Sequence, residues 1–157
     1  MPAVSTDTIA VYEIGGISIP EFIKINHGNW VPFRDLEFSI LQKLENARNI
    51  ILDCGGGIIF DIDTNGKEVV SDRKISLLKK IGKIVRLDAN SDFLVSKVKN
   101  DLNRPNLSDT EPYSEILKRR TIQYNMVADF AISTEGKDPD TIAKKIIEIY
   151  PALLEKN

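Results

Sequence analysis

The sequence predicts an α/β fold with a mainly parallel sheet, and three observations predict it. Strand-like apolar runs alternate with segments of helical period along the chain. The run Asn49-Ile50-Ile51-Leu52-Asp53-Cys54 reads as a buried strand of such a sheet. It leads directly into Gly55-Gly56-Gly57, and ligands of open α/β sheets bind just outside the carboxyl ends of the strands. Glycines there let a ligand approach the backbone, because no Cβ intervenes.

Taken in order, Ala3-Val4-Ser5 is a short first strand. Thr8 to Ile25 is mostly helical, broken near Gly15-Gly16 and at Pro20. Asp35 to Ala47 is a helix with Leu36, Ile40, Leu41 and Leu44 on one face. After the glycines, Ile58 to Val70 contains Asp63-Thr64-Asn65-Gly66, and Asn-Gly between β-rich flanks signals a hairpin. Asp72 to Ile81 is a short helix with Gly82 as its C-cap, followed by a strand at Lys83–Leu87. Ser91 to Leu102 is a helix that Ser91 can cap, and Asn103 to Pro112 is a polar loop. Glu115 to Val127 is a helix and Phe130–Ser133 a strand. Pro139 to Leu154 is a final helix with Ile142, Ile146, Ile147, Tyr150 and Leu153 as its apolar positions.

Composition narrows the function classes. At 157 residues, with 42% apolar and 28% charged residues, the chain suits one globular domain spanning 1–157. A formal net charge of -2 gives no general attraction to nucleic acid or membrane. One cysteine excludes an internal disulfide framework and fits a reducing compartment. No apolar stretch approaches the roughly 20 residues of a membrane span, and the start lacks the pattern of a signal peptide. A cytoplasmic monomer is expected.

The chemistry lies in the arginines. Arg34 follows Phe33, with Glu37 on the same helical face; Arg104 precedes Pro105 in the polar loop; Arg120 stands four residues before Tyr124. A guanidinium offers a planar fork for carboxylates and phosphates. Taken singly, each arginine reads as a surface charge; several converging on a glycine-rich strand end would suit a small anionic substrate and a nucleotide.

Their order resembles the shikimate kinase family over essentially the whole chain. Pro2-Ala3-Val4-Ser5-Thr6-Asp7 resembles the family's Pro-Phe-x-Asp-x-Asp segment, and Gly16-Ile17-Ser18-Ile19 its Gly-x-Ser-Ile turn. Phe33-Arg34-Asp35-Leu36-Glu37 matches Phe-Arg-x-x-Glu, and Gly55-Gly56-Gly57 the glycine triplet. Arg104-Pro105-Asn106-Leu107 resembles Arg-Pro-Leu-Leu of the lid, here about 102–112. Arg120 with Tyr124 and Ala128-Asp129 resembles Arg-x-x-x-Tyr followed by Ala-Asp.

The resemblance implies a three-layer α/β/α fold of the P-loop kinase type and the reaction ATP + shikimate to shikimate 3-phosphate + ADP, with Mg2+. By the same resemblance Asp7 contacts the shikimate hydroxyls and is the candidate base, with Thr6 and Thr8 as alternatives on spacing. Arg34, Arg120 and the amides at Gly56 and Gly57 hold the shikimate carboxylate and ring, and Glu37 orients Arg34. Arg104 reaches the ATP phosphates, Lys97 takes the place of an arginine near the adenine, and Pro139 flanks the adenine. Ser5 stands where the family carries a magnesium-binding aspartate, and a hydroxyl is a weaker partner for a hard cation.

The family's Gly-x-x-x-x-Gly-Lys-Ser/Thr loop cradles the nucleotide phosphates. Gly66-Lys67, Gly82-Lys83 and Gly136-Lys137 are the only Gly-Lys pairs in these residues, and none completes that pattern. The chain starts where the family's second strand starts. A strand is therefore expected to be lacking mid-sheet, either closed over by direct pairing or leaving edges open to a partner. Kinase activity of these residues alone is expected to be weak, and a non-catalytic relative that binds a small carboxylate or a protein is the alternative. Asp61-Ile62-Asp63-Thr64-Asn65-Gly66 also resembles the start of a calcium loop, but the hairpin reading is the stronger. Cys54 has no histidine partner in the pattern and reads as a small packing residue.

Overall fold

The computed structural model describes residues 1–90 and 111–155, with side chains through 151. It comprises two compact units, Met1–Gly82 and Lys83–Asn157. The helix expected over 91–102, most of the lid, Lys97 and Arg104 lie outside the described residues.

In the first unit, strand β1 (Ala3–Ser5) pairs in parallel with β2 (Ile51–Asp53). Helix α1 (Thr6–Glu13) follows β1 without a loop, because the Ser5 side chain accepts the Thr8 N–H and caps it. The helix therefore begins before Thr8. It ends at Gly15 and Gly16, whose φ values of 81° and 85° carry the chain through a left-handed turn. Ser18 then caps α2 (Ile19–Ile25), so the Gly-x-Ser-Ile segment stops one helix and starts the next. Pro20 does not break this helix; it sits in the first turn, where a missing N–H costs nothing.

Helix α3 (Val31–Leu44) also starts earlier than the sequence pattern suggested, with Pro32 in its first turn. Its buried face runs Phe33, Arg34, Glu37, Ile40 and Leu41. Ala10, Ile23, Phe33 and Ile40 form one core cluster, against which Ile9, Ile19, Phe22, Trp30, Leu36 and Leu44 pack. The hairpin is present as expected: β3 (Phe60–Ile62) and β4 (Glu68–Val70) pair antiparallel. Asp63 holds its turn by accepting the N–H groups of Asn65 and Lys67 at 2.9 and 2.8 Å. Asp61 instead bonds Ser71 and Arg73, so these carboxylates do not form a calcium loop. Helix α4 (Asp72–Ile81) is capped by Ser71.

The strand before the glycines differs from expectation. It is shorter than Asn49–Cys54, and it is not buried: Ile51 is 51% exposed. The reason is its pairing, since β1 is its only strand neighbour among the described residues.

In the second unit β5 (Val85–Asp88) pairs in parallel with β6 (Phe130–Ser133) and has no other strand neighbour among the described residues. Helix α5 (Tyr113–Val127) leads into β6. Asp129 accepts the Ile84 N–H at 2.8 Å and fixes the entry to β5, which gives the Ala-Asp pair a structural role. Helix α6 (Pro139–Glu155) buries a different stripe than its apolar pattern suggested. Ile142, Ile146 and Ile149 are half-buried, whereas Ile147 and Tyr150 are exposed. No described helix is long and apolar enough to cross a membrane.

The core assignment of α3 is testable. Ile40→Ala should destabilise the protein by about 2–5 kcal/mol in urea denaturation, the range for an emptied core position. Tyr12→Ala, at a residue 83% exposed, should change stability by less than about 0.5 kcal/mol.

Candidate functional site

The register of β1 and β2 builds the site. Ser5 lies opposite Asp53 in a parallel pair, so the chain leaves both strands in the same direction. One branch enters α1 and the other enters the glycines. Asp7, in the first turn of α1, thereby meets Gly55: a Cβ on Gly55 would lie 3.0 Å from Asp7 Oδ1. The Thr6 hydroxyl turns the other way and donates to the Asp53 carbonyl at 3.3 Å, and Thr6 is buried. Thr8 is exposed, its N–H on the Ser5 cap. Of the three candidates, Asp7 is the one beside the glycines.

The glycine segment is a tight turn, with the Ile58 N–H donated to the Gly55 carbonyl at 3.0 Å and the Phe60 N–H to the Gly57 carbonyl at 2.9 Å. Gly57 is needed for space rather than for a left-handed backbone. A Cβ there would lie 2.2 Å from Arg34 Nη1 and 2.8 Å from Cζ, well inside contact distance. With hydrogen in that place, Arg34 Nη1 donates to the Gly57 carbonyl at 3.2 Å.

Arg34 and Glu37 are each 3% exposed. One helical turn separates them, and Arg34 Nη1 lies 3.1 and 3.0 Å from the Glu37 oxygens. The guanidinium also lies over the Trp30 ring, 5.0 Å from its centroid, while Trp30 meets Phe33 edge-on at 5.9 Å. Glu68 of β4 approaches Arg34 Nη2 at 4.0 Å. Arg34 Nε is buried with no hydrogen-bond partner among the described residues.

The sequence pattern does not single out Lys74 or Glu68 as site residues. Lys74 of α4 is 0% exposed; its Nζ donates to Glu37 Oε2 at 2.8 Å and to the Phe60 carbonyl at 2.7 Å. Burial lowers its pKa, and the neighbouring Glu37 carboxylate opposes that effect. A lysine one turn before Leu78, on the helix's buried face, was the available signal. Beside it, burial raises the Asp61 carboxyl, but hydrogen bonds from Arg73 and Ser71 outweigh this and hold it well below the usual carboxylate range. Arg73 also reaches Asp35 at 2.7 Å.

Cys54 is not a nucleophile in this setting. Burial, aided by the carboxylates of Asp53, Asp7 and Glu37, pushes its thiol up to about 12, so it stays protonated at neutral pH.

The first unit thus brings together Asp7, Arg34, Glu37, Gly55 and Gly57. Gly56 stands between the last two, in the same turn. Arg120 and Pro139 belong to the second unit. Arg120 is buried on α5, and Tyr124, one turn further, carries the Arg86 guanidinium 5.8 Å from its ring centroid. Pro139 is exposed at the start of α6.

The shikimate kinase family model matches residues 1–151. The chain is 52% identical over 147 residues to the shikimate kinase of Leptospira borgpetersenii serovar Hardjo-bovis (strain JB197), covering 94% of this chain and 82% of that protein. It is 51% identical over 148 residues to the shikimate kinase of Leptospira biflexa serovar Patoc (strain Patoc 1 / Ames), covering 94% and 81%. Among solved structures, the shikimate kinase from Acinetobacter baumannii in complex with shikimate superposes with a TM-score of 0.77 at 25% identity, over 96% of this chain and 79% of that one. These likenesses show an α/β fold of the P-loop kinase type. Together with the buried Arg34–Glu37 pair against the glycine turn, they place the chain in the shikimate kinase family.

Proposed function

We propose that this chain takes part in phosphoryl transfer from ATP to shikimate, giving shikimate 3-phosphate and ADP, and that its first unit holds the acceptor. The observation that carries this reading is Arg34: a buried guanidinium, fixed by Glu37 and Gly57, with the Nε donor not engaged by any described residue. A small carboxylate is the natural complement of such a donor. Arg120 and the amides at Gly56 and Gly57 would complete the carboxylate and ring contacts. One family model runs across both units, which supports one shikimate kinase-like domain. Identity of 51–52% to curated shikimate kinases favours this reading over a non-catalytic relative.

Asp7 would act on the hydroxyl. Its carboxylate, beside Gly55, can accept the proton as the hydroxyl oxygen attacks phosphorus, while ADP leaves. Family membership implies ATP and Mg2+. The described residues do not by themselves fit a resident magnesium site. The Ser5 hydroxyl already caps α1, and no described group of three His, Cys, Asp or Glu side chains could hold a metal. Arg104, Lys97 and Pro139 are the proposed nucleotide contacts.

Three outcomes test the reading. ADP release in the presence of ATP, shikimate and magnesium should fall by about 10²–10⁴-fold in Asp7→Asn, the usual range for a lost general base, with shikimate affinity changed far less. An equal loss in affinity would instead make Asp7 a binding residue. Gly57→Ala should weaken shikimate binding in calorimetric titration, because its Cβ must push the Arg34 guanidinium aside. Arg120→Ala should cost about 2 kcal/mol of shikimate affinity, the size of a lost charge-assisted hydrogen bond, and unchanged affinity would reject that assignment.

A further inference from the structure

Two cations converge on one carboxylate in the first unit. Glu37 Oε2 accepts from Arg34 Nη1 at 3.0 Å and from Lys74 Nζ at 2.8 Å. Lys74 is anchored independently by the Phe60 carbonyl at 2.7 Å and lies 3.4 Å from Asp61 Oδ1. Asp61 is in turn held by Ser71 and Arg73. The lysine is therefore fixed by β3 and α4, whereas Arg34 and Glu37 belong to α3.

We infer that Lys74 is a positioning residue for Arg34, acting through Glu37. Without Lys74, Arg34 and Glu37 would be a neutral pair on one helix, and the carboxylate could rotate with the guanidinium. With it, Glu37 is tied to a second element, so the guanidinium is held through Glu37 by β3 and α4 as well as by its own helix. Lys74 touches neither the ligand nor the reacting atoms in this scheme. The inference rests on the reading of Arg34 as the carboxylate ligand.

The experiment uses the 157-residue protein, shikimate titration, and the emission of Trp30, its single tryptophan, whose ring lies 5.0 Å from the Arg34 guanidinium. Lys74→Met should weaken shikimate binding about tenfold or more and shift Trp30 emission. Glu37→Gln should do the same. The double variant should bind no more weakly than Glu37→Gln alone, because two residues acting through one contact are not additive. Should Lys74→Met fail to fold, Lys74→Gln, which keeps a donor but no charge, is read in its place. Normal affinity with unchanged Trp30 emission in the folded lysine variant overturns the inference, as does a double variant whose losses multiply. Arg34→Lys separates the two levels. If it binds shikimate like wild type, the reading of the pocket fails. If it binds weakly while the Lys74 variants bind normally, only the role of Lys74 fails.

Discussion

The Arg34–Glu37 pair is the constraint on which the first unit depends. Both groups are almost wholly removed from water, and an ion pair in that setting is only as good as its remaining hydrogen bonds. Here Lys74 engages the carboxylate a second time, while the Gly57 carbonyl and the Trp30 face engage the guanidinium. Loss of one partner from such a cluster typically costs about 3–5 kcal/mol, because a buried charge is left uncompensated. A hydrophobic replacement of similar volume is often neutral or stabilising at such a position, so stability alone does not account for the buried charges.

That cluster explains the glycines. Gly57 admits the guanidinium against the backbone, and Gly55 admits the Asp7 carboxylate in the same way. The two glycines that admit these opposite charges lie two residues apart in one turn, which follows the carboxyl end of β2. The strand register sets Asp7 beside Gly55, and the packing of α3 brings Arg34 against Gly57.

Much of this was legible in the sequence, and the reasons differ by element. The hairpin was marked by Asn65-Gly66, and the final strand by four residues of β-rich pattern bounded by polar ones. Local chemistry determines such features. Apolar periodicity places the starts of α1 and α3 too late, because it begins inside the first turn whereas the Ser5 cap and Pro32 set the true starts. The apolar run overstates the burial of the strand before the glycines, since apolar content does not reveal how many neighbours a strand has. The last helix shows the same limit: Ile147 and Tyr150 fit the apolar period but are exposed, and Ile149 takes their place. At the site, Arg34, Glu37 and the glycines were visible as a motif. Lys74 was not, because a lysine in a short helix carrying Lys79 and Lys80 reads as solvated unless its face is known.

The hairpin gives the site its second wall. Phe60 and Asp61 on β3 receive Lys74, and Glu68 on β4 stands 4.0 Å from Arg34. The Asn65-Gly66 turn sets the register that brings these residues to the same guanidinium–carboxylate cluster, with Asp61 opposite Val69 and Ile62 opposite Glu68. A slip of one residue in that pairing would reverse which side chains face inward. With Asp61 opposite Val69 and Glu68 opposite Ile62, the two carboxylates lie on opposite faces of the hairpin, so a slip of β4 would move Glu68 away from Arg34 while Asp61 stayed in place on β3. The turn therefore sets which side chain of β4 stands beside the Arg34 guanidinium.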